Sequence, residues 1–178
     1  EKKMPVEADI PEFLAELGLE KDATELIKAV GDLSLTAFYF LLRVGEYTIK
    51  GKRNESKQTV QFRIKDVTFF RKDKRGILRM LPRNASDEDI LAADAVTLKL
   101  ENQKNGWKGV CVSHHSNGEE YHNPTKAVGR RYIHIRSHTS DPNTFLSAYF
   151  EEDGVRRDVK DSDIRAGLKV AAEALDYM

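Results

Sequence analysis

Arg43 and Lys104 are the two residues of this 178-residue sequence whose types and settings could do chemistry together. Arg43 stands near the end of an apolar run, Leu33 to Tyr47, that reads as one buried helix capped by Asp32 or Ser34. A guanidinium in such a run is costly unless it is paired or put to use. Glu46, one turn along, is expected to pair with it on the same helix face. Lys104 lies in Asn102-Gln103-Lys104-Asn105-Gly106-Trp107-Lys108-Gly109, a stretch that reads as a hairpin tip. A planar fork of donors from Arg43 and a mobile ammonium from Lys104 suit the gripping of a phosphate.

These groups need elements to hold them. Ile10, Phe13, Leu14 and Leu17 follow helical spacing up to a stop at Gly18, within an acidic extension over residues 1–21. A second helix is expected from Asp22 to Val30, ending at Gly31, followed by the helix that carries Arg43. After a polar stretch, Val60, Phe62 and Ile64 alternate as a strand does, with Val67, Phe69 and Phe70 behind them. Ser86 opens a capped turn leading into Ile90 and Leu91. Ala95–Leu100 and Val110–Val112 flank the Asn-Gly turn as two strands of a hairpin. Asn123-Pro124 starts a helix through Ala127, Val128, Tyr132, Ile133 and Ile135. Phe145–Phe150 reads as a short strand or turn, and Asp161 or Ser162 caps a last helix carrying Ile164, Leu168, Ala171, Ala172 and Leu175. The sum is a mostly helical α+β domain over residues 22–178 with a small antiparallel sheet.

Composition narrows the function classes. With 33% charged and 40% apolar residues the chain has the make-up of a globular protein, and no apolar run approaches the ~18 residues of a membrane span. The single cysteine, Cys111, excludes an internal disulfide, and no signal-peptide pattern opens the sequence, so a nuclear or cytoplasmic setting is expected. The formal net charge is zero, yet it is unevenly spread. Residues 1–32 carry 4 basic and 9 acidic side chains, residues 43–83 carry 13 and 4, residues 95–138 carry 7 and 3, and residues 139–178 carry 5 and 9. A basic middle between acidic ends is a footprint for a polyanion, because phosphate binding depends on local clustering and not on the total.

Several side chains have two readings each. Lys126, Arg130 and Arg131 fit either backbone phosphate contacts or a solvated helix face. Lys99 and Lys108 flank the hairpin tip, and Lys108 competes with Lys104 for the same role. Trp107 could stack on a sugar or base edge or shield the turn. Cys111, His114, His115 and His122 cluster at spacings that zinc tolerates. Cys111 and His114 would point to opposite faces of a strand, however, and no second pair at finger spacing is present, so no metal site is expected.

Three segments, Leu42-Arg43-Val44-Gly45-Glu46, then Lys65-Asp66-Val67, then Gln103-Lys104-Asn105-Gly106, together resemble the catalytic domain of the tyrosine recombinase/integrase superfamily. The resemblance runs from about residue 22 to 178 and is nearest to the eukaryotic branch found in DIRS-like and Crypton-like mobile elements. It implies that Arg43 binds the scissile phosphate, that Glu46 buttresses it, and that Lys104 protonates the departing 5′ oxygen from a hairpin along the minor groove. Fixed cations stabilise the charge gathered on the non-bridging oxygens, and the leaving alkoxide needs a proton. The implied parent chemistry is site-specific DNA cleavage and rejoining through a 3′-phosphotyrosyl intermediate, without metal or nucleotide. The family pattern also carries a His-x-x-Arg box, a later His or Trp, and a tyrosine nucleophile, all beyond the helix that ends this sequence. His134-Ile135-Arg136 has the wrong spacing for the box, and Tyr177 precedes its place. The expectation is therefore double-stranded DNA binding without turnover. Self-association is expected too, through helix faces that the further helices would cover. The alternatives are a catalytically silent, domesticated protein-interaction module and, third, an unrelated α+β structural domain.

Overall fold

A computed structural model describes residues 6–49, 60–101 and 109–178. The longest helix in it, α2 (Glu25–Phe40), is the axis on which the other elements are arranged. It begins where the Thr24 hydroxyl accepts from the Ile27 N–H at 3.2 Å and runs on through Gly31. The sequence reading had two helices meeting at Gly31. The helix continues because this glycine serves packing and does not terminate anything. α1 (Asp9–Leu19) crosses α2 so closely that a Cβ on Gly31 would lie 2.5 Å from the Leu14 carbonyl oxygen. α2 ends instead at Leu41, which adopts the left-handed conformation at φ 55°, and a four-residue helix, α3 (Val44–Tyr47), follows. Arg43 is thus the exposed N-cap of α3 and not a residue inside a buried helix.

A four-stranded antiparallel sheet in the order β2-β1-β3-β4 comes next: β1 (Val67–Lys72), β2 (Leu78–Met80), β3 (Ala95–Lys99) and β4 (Cys111–His115). The expected β3–β4 pairing forms, in the register Val96↔His114 and Leu98↔Val112, which keeps Leu98 and Val112 on one face. The pleat sends Val67 and Phe69 of β1 and Val96 and Leu98 of β3 to one buried face. Phe69 meets Tyr132 of α5 (Pro124–Arg136) edge-on, with ring centroids 5.3 Å apart. Asn123 caps α5 by accepting from the N–H groups of Thr125 and Lys126, with Pro124 in the first turn. Ser86 likewise caps α4 (Asp87–Leu91). The α+β expectation, mostly helical with a small antiparallel sheet, holds.

Two details differ. The alternation from Val60 to Ile64 is not a strand; β1 starts only at Val67, after a 3₁₀ turn at Ile64–Asp66. Phe62 and Ile64 are buried all the same, because the segment is pinned from both sides. The Phe62 N–H donates to the Glu46 carbonyl at 3.1 Å, the Leu146 N–H donates to the Phe62 carbonyl, and the Ile64 N–H donates to that of Thr144. The second sheet pairs β5 (Ala148–Phe150) with β6 (Arg156–Asp158) and leads into α6 (Asp161–Ala174). Lys160, and not Asp161 or Ser162, caps α6, and the Asp163 carboxylate accepts from its N–H at 2.9 Å. Ile164 and Ala171 bury one stripe of α6, while Val170 stays 53% exposed on another. Among the described residues no helix is long and apolar enough to cross a membrane. The extension drawn at residues 1–21 contains α1, which packs on α2 and α6.

A glycine-to-alanine change inside a helix normally gains up to ~1 kcal/mol. At Gly31 the sign should reverse. Gly31→Ala is expected to lose at least ~2 kcal/mol, since backbone must shift to admit the methyl group. Gly129→Ala in α5, whose Cβ would meet nothing closer than 3.4 Å, should stay within ~1 kcal/mol of the parent in the same urea titration.

Candidate functional site

Arg43 is held by its backbone. Its N–H donates to the Glu46 carboxylate at 2.8 Å, and the Glu46 N–H donates back to the Arg43 carbonyl at 2.8 Å. The buried Glu46 is therefore spent on the start of α3, and among the described residues no ion pair joins it to the guanidinium. The expected pairing on one helix face fails because the two residues span a helix start, where an acidic side chain three residues in finds the orphan N–H first. Its outcome is an exposed Arg43 side chain on a fixed backbone, with no polar partner among the described residues. Tyr47, on the next turn, is buried, and burial pushes its phenol up to about 12.

From α3 the backbone bond to Phe62 leads to the 3₁₀ turn and on to the hairpin. Lys65 pairs with Glu101, at the base of the hairpin loop, at 3.4 Å. Burial raises the neighbouring Asp66 carboxyl above its usual range, with Glu101 adding to the effect. Arg83 braces the same segment by donating to the carbonyls of Ile64, Lys65 and Val67 at 2.9, 2.6 and 2.7 Å. No spacing in the sequence singles Arg83 out, since its partners are backbone oxygens. Lys99 is exposed at the end of β3, opposite Cys111. Lys104, Trp107 and Lys108 lie outside the described residues.

The β1–β2 turn carries further basic side chains. Asp73 closes it by accepting from the Arg75 and Ile77 N–H groups, which holds its carboxyl below the usual range with help from Arg79. Arg71 and Arg79 pair with Asp89 and Asp73, while Lys72, Lys74 and Arg75 are exposed and make no ion pair among the described residues. This prong comes from the basic stretch of the sequence, though none of its residues stood out singly.

The basic residues of α5 are placed differently from a solvated face. Arg131 is 3% exposed, and its Nε donates to Asp32 Oδ2 at 3.2 Å. Arg130 donates from Nε to Asp32 Oδ1 at 2.8 Å. Lys126 pairs with Glu120 at 3.2 Å. Asp32, expected to cap a helix, sits in the middle of α2 and is 4% exposed. The signal for it was a lone carboxylate in an apolar run, which needs a cationic partner from elsewhere in the chain.

His134, one turn further along α5, accepts from the Phe150 N–H through Nε2 at 2.9 Å. Burial and the Arg131 charge bring its pKa down to about 4, although Glu25, 3.5 Å from Nδ1, pulls the other way. The contact with Glu25 is therefore one to a neutral imidazole. The cysteine and histidines do not converge: Cys111 is exposed, His114 packs on Phe40 at 4.7 Å, and His122 meets Glu16 at 2.8 Å. No family model, curated protein or solved structure matches this chain.

Removing the shared carboxylate in Asp32→Ala leaves two guanidinium groups without their counter-charge and should cost roughly 3–5 kcal/mol in chemical denaturation. His134 takes up its proton at about 4 in the folded chain and near 6.5 when unfolded. Its contribution to stability is therefore complete above pH 6.5 and is lost as the pH falls toward 4. Unfolding midpoints measured between those values should drop less steeply for His134→Gln, which keeps an acceptor for Phe150 but does not titrate.

Proposed function

We propose that this chain is the DNA-binding part of a tyrosine-recombinase-like catalytic core, with Arg43 as the clamp on a backbone phosphate and Lys104 as the proton donor of the parent chemistry. The observation that carries this reading is the exposed Arg43 guanidinium, whose backbone Glu46 holds and whose side chain has no polar partner among the described residues. A side chain with rotamers to lose but a fixed root suits an oxyanion brought from outside. Glu46 then acts as a buttress through the backbone, not through the guanidinium.

Two further features support it. The chain order runs from Arg43 through Phe62 and the Lys65–Glu101 pair to the antiparallel β3–β4 pair, between whose strands Lys104 falls in sequence, so short hydrogen-bonded steps tie Arg43 to the foot of the hairpin. Lys99 adds exposed positive charge at the hairpin's end of the sheet, and Lys72, Lys74 and Arg75 carry more at the opposite end, where contacts to phosphates would set position and not sequence preference. Arg131 has no part in this interface because it is committed to Asp32. Binding and positioning are the whole function proposed here; strand cleavage needs a nucleophile that the family pattern puts further along.

Anisotropy of a labelled duplex titrated with the chain tests the reading. Affinity should fall steeply between 50 and 200 mM salt, as neutralised phosphates release counterions. Arg43→Ala and Lys104→Ala should each weaken binding about tenfold and lower the salt slope by about one, with unchanged circular dichroism. A folded chain that ignores duplex at every salt concentration, or binds it equally well without Arg43, overturns the proposal. Self-association that is indifferent to salt and to Lys104 would point to a protein-interaction module instead.

A further inference from the structure

Away from Arg43, beside the first half of α2, lies an open cavity of about 530 Å³ between the α1–α2 loop and α5. Lys28, Asp32, Arg130, Arg131 and His134 are among its lining residues. Its charges do not balance. Lys21, Lys28, Arg130 and Arg131 face three carboxylates in the lining, with Glu20 at the loop, Glu25 engaged by Lys28 at 3.1 Å, and two guanidinium groups sharing Asp32, so one positive charge is left over. His134 adds no counter-charge, since it is neutral at ordinary pH. The donors do not balance either. Arg131 Nη1 is buried without a hydrogen-bond acceptor, in a side chain 4% exposed. Arg130 is better served, with Nε and Nη2 each 2.8 Å from the one oxygen Asp32 Oδ1. Buried cationic donors that lack acceptors cost several kcal/mol unless an anion supplies the missing oxygens.

From these two imbalances we infer that the cavity binds a small phosphate-like oxyanion, gripped by Arg130 and Arg131 with Lys28 at the rim. A tetrahedral oxyanion has enough lone pairs to serve both forks at once and brings the negative charge that the cluster lacks. Asp32 has a positioning role: it holds the two guanidinium groups side by side but cannot satisfy all their donors. The cavity, about 530 Å³ in volume, has room for free inorganic phosphate or the phosphoryl group of a small molecule. This inference is independent of the DNA reading, since Arg43 stands beyond the opposite end of α2.

The test uses the whole chain with inorganic phosphate as the probe, against sodium chloride at matched ionic strength. Phosphate at about ten times its dissociation constant should raise the melting temperature by about 4 °C, and chloride should not. The Nε–Hε resonances of Arg130 and Arg131 should move in a saturable way over the same titration. Arg130→Gln should abolish both responses; should that variant not fold, Lys28→Gln should weaken them several-fold. No arginine shift in the parent, a thermal gain that survives in Arg130→Gln, or one that is undiminished in Lys28→Gln overturns the inference, because general salting effects do not depend on one side chain. A duplex at equal phosphate concentration should leave these resonances in place. If it displaces the inorganic ion, or if Arg130→Gln weakens duplex binding, the site belongs to the nucleic-acid backbone and the inference fails. Arg43→Ala, which the DNA reading requires to matter, should leave the phosphate response intact.

Discussion

Two adjacent residues of α2 do most to determine where everything else lies. Gly31 lets α1 press against the helix backbone, and Asp32 binds Arg130 and Arg131 of α5 on another side. The first is a steric requirement, since the approach of Leu14 leaves no room for a methyl group. The second is electrostatic: a carboxylate 4% exposed is tolerable only with its counter-charges in contact. With α1 and α5 located against α2, the sheet has a surface to cover, and Phe69 finds Tyr132.

The same helix governs the candidate phosphate clamp through its end. α2 stops at Leu41 in a left-handed conformation that a leucine adopts only at some cost, with its side chain 88% exposed. That turn redirects the chain so that Arg43 begins a new helix in the open. Glu46 makes the new start stable, and the bond from Phe62 to the Glu46 carbonyl joins it to the segment that opens the sheet. Arg83 stiffens that segment through three carbonyl oxygens. The arrangement gives Arg43 a rigid base and a free head.

Arg43, past the end of α2, and Arg131, against its middle, have opposite fates. Arg43 is exposed and free of polar partners among the described residues, whereas Arg131 is enclosed and only partly satisfied. Charge that is cheap at a surface becomes a demand for a counter-ion inside, because the low local dielectric strengthens both attraction and the penalty of its absence.

Several local features were legible from the residues alone. Asn123-Pro124 and Ser86 cap the helices they announce, and the alternation in Ala95–Leu100 and Val110–Val112 marks two strands that do pair. Each of these is a matter of neighbours in the chain, where hydrogen bonds to the backbone and pleat geometry decide the outcome. The α+β class follows from their sum. Gly31, Asp32, Arg43 and Arg131 were misread because their partners are distant or their helix boundary is set by packing. Asp32 and Arg131 are 99 residues apart, and no spacing rule reaches that far. Sequence by itself determined which residues could carry charge and which segments could be helix or strand. Only the tertiary structure decided which cations are buried with a counter-charge and which face outward, because burial and pairing depend on which surfaces meet.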